Sequence, residues 1–158
     1  MAIQPPSNDE LATWDPASRL VALVERTRPR YERHGLESLN GAERTLLALF
    51  DFDSEICNGG FGQWLFNTQT DLIAITPECL ERIGEEHMLP LVRSVLNELQ
   101  LGALMLDSGK WLDYLQEQPE EFWHMVTDVD KSYVPFERRM LERLWSYAEA
   151  VARQVRLP

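Results

Sequence analysis

Cysteine is scarce in this 158-residue chain: only Cys57 and Cys79 occur, 22 positions apart and in no CxxC or zinc-like spacing. Disulfide-stapled secreted domains are far denser in cysteine, so a reduced, cytoplasmic setting is expected. Long apolar runs are missing too. No stretch approaches the roughly 18 residues of a membrane helix, and MAIQPPSNDE has neither the basic start nor the apolar centre of a signal peptide. Histidine is limited to three isolated positions, His34, His87 and His124, with no HxxxH or HExxH among them. Positive charge is short: 26 acidic residues face 15 basic ones, a net charge of −11. The deficit is local. Residues 51–134 hold 16 acids against only Arg82, Arg93, Lys110 and Lys131, a net −12 that carries the whole excess. Phosphate contacts need clustered Lys and Arg, so direct binding to nucleic acid or to an acidic membrane is disfavoured and a basic protein partner is favoured. Solubility alone is the plainer explanation of such charge.

What is present is helix-forming pattern. Asp15-Pro16 reads as an N-cap with proline at the first helical position, Gly35 as the matching stop, and Pro29 as a kink or split. Asn40 and Glu43 have capping-box spacing ahead of a helix to about Cys57 that buries Leu46, Leu47, Phe50 and Ile56. A short helix over about 61–67 follows, with Phe61, Trp64 and Leu65 on one face. Thr76-Pro77 predicts another start and Gly84 its stop. Leu89, Val92, Leu96 and Leu99 mark a helix over 86–101; Trp111, Leu112 and Leu115 mark a short one; Pro119-Glu-Glu opens a third. Phe136, Met140, Leu144, Tyr147, Val151 and Val155 make a stripe over a last helix of 134–156. No segment alternates as a strand does. The expectation is a single all-α domain of about seven helices over 13–158, irregularly packed, behind a loose N-terminal arm of residues 1–12. Trp64, Trp111, Trp123 and Trp145 read as core anchors and Trp14 as partly exposed.

The three closely spaced glycines of EICNGGFGQWLFN (Gly59, Gly60, Gly62) raise the question of a phosphate loop. Such a loop needs GxxxxGK[ST] after a strand. Here no Lys or Arg lies between Arg44 and Arg82, and Asp51, Asp53, Glu55 and Asp71 flank the glycines. A helix-to-helix turn is the better reading. Asp51 and Glu55 are i, i+4 on one face, which leaves a metal-dependent enzyme built on Asp51, Asp53 and Glu55 as an alternative. No Glu-x-x-His pair, GxSxG elbow or marked nucleophilic cysteine supports catalysis, so no enzyme activity and no cofactor are expected.

The run from Leu39 to about Leu99 resembles the bacterial family built around the DNA-mimic protein of the DMP type, otherwise of unknown function. Glu55, Asn58, Gly59, Gly60, Phe61, Gln63 and Asn67 carry the likeness, with Ile83 and Gly84 continuing it; Trp64 stands where Tyr or Phe is more usual. The resemblance implies an all-α, non-catalytic, dimeric protein whose carboxylates imitate DNA phosphates on a transcription regulator. Within the motif, Asn58 and Asn67 are expected to bond loop backbone and Phe61 to anchor the turn. Mimicry would reside in surface acids instead. B-DNA presents a charge about every 1.7 Å of axis, which acids on successive helical turns about 5.4 Å apart approach when two helices lie side by side. The candidates are Asp51, Asp53, Glu55, Asp71, Glu78, Glu81, Glu85, Glu86, Asp113, Glu117, Glu120 and Glu121. An immunity- or antitoxin-like protein that caps a basic toxin would share the charge but not the partner.

Overall fold

The structure, a computed structural model, describes residues 6–100 and 102–156. Among the described residues eight α-helices follow in order: α1 (Asn8–Ala12), α2 (Pro16–His34), α3 (Gly41–Asn67), α4 (Thr70–Arg82), α5 (Met88–Asn97), α6 (Ser108–Gln116), α7 (Glu120–Tyr133) and α8 (Glu137–Val151). The described residues contain no strand. The all-α single domain expected from the sequence is therefore what forms.

Helix α3 is the axis of the domain, touching α2, α4, α7 and α8. Its start is fixed by the expected capping box: Asn40 Oδ1 accepts from Glu43 N at 3.0 Å while Asn40 N donates to Glu43 Oε2 at 2.9 Å. Around its middle, Phe52, Phe61 and Trp64 are all fully buried. They meet edge to face in a closed triangle, with centroids 5.7, 5.1 and 5.9 Å apart, the arrangement aromatic quadrupoles favour. Trp111 is buried against the same region and donates its indole N–H to the Leu65 carbonyl at 2.8 Å. Trp123 and Trp145 are only half-buried; Trp123 stacks on the exposed Phe66.

Several local expectations change. Residues 8–12, placed in a loose arm, form α1 with a capping box from Ser7 and a fully buried Leu11; residues 1–5 of that arm lie outside the described residues. Pro29 does not split α2, which runs on to the Gly35 stop (φ +72°). The ring sits on the exposed side, where the carbonyl it leaves without an N–H partner can meet water. Thr76-Pro77 does not begin a helix. α4 starts at Thr70 because burying Leu72 and Ile73 with Leu80 outweighs the single bond Pro77 removes, and Thr76 Oγ1 donates back to Leu72 O at 2.8 Å. Phe50 and Tyr31 are half-buried. The last helix is shorter than 134–156, flanked by 3₁₀ turns at Val134–Phe136 and Ala152–Gln154.

Candidate functional site

The glycines fall where α3 breaks. Gly59 (φ −168°, ψ 17°) and Gly60 (φ +80°, ψ −172°) leave helical geometry, and the chain re-enters a helix at Phe61. Of the glycines in this turn only Gly60 has a positive φ, which L-residues avoid, and a Cβ there would stand 2.5 Å from Asp130 Oδ2. That carboxylate comes from α7 and accepts the Phe61 backbone N–H at 2.7 Å. The new helix start has unpaired N–H groups and a positive dipole end, which a carboxylate satisfies. The glycine turn thus does hold an oxyanion, but one supplied by the chain itself.

Glu55 closes the turn from the other side. Its Oε2 accepts from Gln63 Nε2 and from Asn67 Nδ2, each at 2.8 Å. The motif spacing follows from this contact: the acid sits one turn before the break, and the two amides sit on successive turns after it. The expectation that Asn67 bonds loop backbone is corrected, since its amide goes to Glu55. Asn58 is exposed, and no side-chain hydrogen bond forms from it among the described residues.

The neighbouring acids do not converge. Asp51 pairs with Arg28 of α2, and Asp71 accepts the Tyr31 hydroxyl at 2.6 Å. Asp53 faces α8, where burial and then the nearby Glu137 push its carboxyl up to about 6. Cys57 Sγ lies 3.2 Å from Glu137 Oε1. Burial and that hydrogen bond raise the thiol to about 11, so it remains protonated near neutrality. No three His, Cys, Asp or Glu side chains among the described residues are placed to share a metal ion. Asp51, Asp53 and Glu55 therefore form three separate contacts, unlike the common ligand set that the enzyme alternative requires.

The remaining candidate acids divide sharply. Glu85 is not a surface residue: it is fully buried, 3.3 Å from Arg143 Nε, with the His87 backbone N–H donating to it at 3.0 Å. Gly84 (φ +71°) ends α4 with Glu85 N bonded back to Leu80 O, and this turn carries the acid inward. Glu78 and Glu81 are exposed but paired, with Arg82 and Arg93, and Glu120 lies 3.4 Å from His124. Glu86, Asp113, Glu117 and Glu121 are exposed and have no ion-pair partner among the described residues. Three of these four flank the corner where α6 ends and α7 begins.

Sequence reasoning missed Glu43 as more than a cap. It is fully buried and receives Arg30 at 2.9 Å, the Arg156 backbone N–H at 2.9 Å and Arg156 Nη2 at 2.8 Å. Burial alone would raise its pKa. Bonds from Arg156 and the Asn40 backbone, with the charge of Arg30, outweigh that and hold the carboxyl below its ordinary value. Asp130 was missed as well, because its partner lies 69 residues away and no local pattern marks the pair.

No helix among the described residues is long and apolar enough to cross a membrane. Residues 37–151 match the family model described as DMP19-like protein. No curated protein and no solved structure matches the chain.

Proposed function

The chain belongs to the DMP19-like protein family, and from that premise we infer that it is a non-enzymatic acidic binding module that competes with DNA for a basic protein. Its partner would be a DNA-binding protein such as a transcription regulator, met in the bacterial cytoplasm by a homodimer that needs no cofactor. The observation that carries this reading is the set of exposed, unpaired carboxylates, Glu86, Asp113, Glu117 and Glu121, within a segment of net charge −12. Acids already neutralised by arginine present little field to a partner, whereas unpaired ones on helix surfaces attract Lys and Arg at a distance and mark out a charged face. The motif residues take no part in this. Glu55 and Asp130 are engaged with their own chain, so they maintain the turn while the α6–α7 corner makes the encounter.

The test is capture from native lysate at low and at high salt, followed by elution with duplex DNA. Mimicry requires DNA-binding proteins that are held at low salt, released as salt rises, and displaced by DNA, because charge dominates the association. Capture of basic proteins that DNA does not displace would instead favour a toxin-capping role, and salt-insensitive capture would contradict a charge-driven association of either kind.

A further inference from the structure

Away from the kink and the acidic corner, the first half of α2 carries a pocket that neither uses. Pro6, Trp14, Ala17, Val21 and Arg26 line a space of about 540 Å³, within the range of small-molecule sites. Its walls are mainly apolar, with Ser18, Glu25 and Arg26 as the polar members, and two of the apolar ones, Trp14 and Val21, are each 40% exposed. Arg26 is the anomaly: it is only 4% exposed. Every other arginine of α2 that is not fully solvent-facing has a carboxylate: Arg19 has Glu149, Arg28 has Asp51 and Arg30 has Glu43. Arg26 has none among the described residues. It donates to Asn8 Oδ1 at 2.7 Å and to the Pro6 carbonyl, both neutral, and its Nε is buried without a partner.

A buried guanidinium with only neutral acceptors is costly, and an anion beside it removes that cost. Burial pulls its pKa down from the ordinary arginine value, yet arginine starts so high that it stays charged. Glu25 lines the pocket too, but it is exposed and makes no ion pair with Arg26. We propose that this pocket binds a small amphipathic monocarboxylate, its apolar tail against Trp14 and Val21 and its carboxylate on Arg26. A single negative charge suits one guanidinium; a phosphate would need further cations, and among the described residues Arg26 is the only basic one lining the pocket.

The test titrates the isotope-labelled full chain with sodium octanoate and, separately, with octan-1-ol, followed by the Trp14 indole signal and the amides of residues 17–26. Octanoate shifts these signals saturably and binds at least about tenfold more tightly than the alcohol. Arg26→Gln brings octanoate down to the alcohol's affinity. Val21→Asp, at an exposed position, abolishes binding of both. Equal affinity for acid and alcohol in the unaltered protein, shifts scattered outside the pocket, or no saturable shift up to about 5 mM would each overturn the proposal. Should Arg26→Gln lose its folded spectrum, the acid–alcohol comparison and Val21→Asp still decide. None of these outcomes depends on whether the acidic face binds a partner.

Discussion

Asp130 reaches from α7 to the break in α3, accepts the Phe61 backbone N–H at 2.7 Å, and fills the space that a side chain on Gly60 would need. One carboxylate thereby explains both why the helix can restart and why glycine is required there. Gly60→Ala should destabilise the fold by about 2 kcal/mol or more, through positive-φ strain and the displaced carboxylate. Asp130→Ala should cost about 1.5–3 kcal/mol for the lost charge-assisted bond. Because the two residues share one space, the double variant should be less destabilised than the sum of the two, by about 0.5 kcal/mol or more. Urea melts of the four proteins measure this; strict additivity would separate the glycine from the aspartate.

Glu55→Ala removes the acceptor shared by Gln63 and Asn67. The expected loss is about 1–3 kcal/mol of stability, with the salt dependence of partner binding unchanged. Comparing melting and binding in this one variant tests whether the motif acts on the fold alone.

The turn was legible in the sequence; its partners were not. Asp15-Pro16, Asn40 with Glu43 and the Gly35 and Gly84 stops are contacts within a few residues, so their spacing reveals them. Asp130 to Phe61, Arg156 to Glu43 and Arg143 to Glu85 span 58 to 113 positions, and a charged residue on a helix looks alike whether its partner is water or a distant arginine. Glu85 shows the consequence: counted as surface from its charge, it is turned inward by the glycine before it. The two mid-helix prolines mislead for the converse reason, since burial of Leu72 and Ile73 outweighs a local rule. Among the candidate acids, composition alone does not separate those that are paired internally from those left to face a partner.

Glu43 is the second buried hub. Glu43→Ala should cost about 2–3 kcal/mol by leaving Arg30 and Arg156 without their carboxylate, less than a fully buried pair would because both arginines keep solvent contact. In the unaltered protein its folded pKa lies below the unfolded value. Its contribution is therefore fully present above the unfolded carboxylate range and is lost as pH falls through the folded pKa. Chemical melts from pH 7 down to pH 3 should show the variant's deficit shrinking on the acid side.

Asp53 has the opposite sign. Its folded pKa of about 6 lies above the ordinary aspartate value, so its ionised form opposes folding at neutral pH. Asp53→Asn should stabilise the protein at pH 7 by about 1 kcal/mol, well below the full value of the shift because the carboxylate keeps some solvent contact. The gain should fade as pH drops through 6 and be gone below about 4, where the unaltered residue is protonated in both states. Melting curves at pH 8, 6 and 4 check the order.

Changing Glu86 and Glu117 and Glu121 to Gln, with Asp113 to Asn, removes four charges that no described residue pairs with. Parallel captures from native lysate at low salt, with the unaltered and the four-fold variant proteins as bait, put mimicry to its most direct test. Mimicry predicts that the unaltered bait holds DNA-binding proteins which duplex DNA displaces, while the variant, with its melting temperature unchanged, loses them. Equal capture by both baits, or capture that duplex DNA leaves in place, would contradict it.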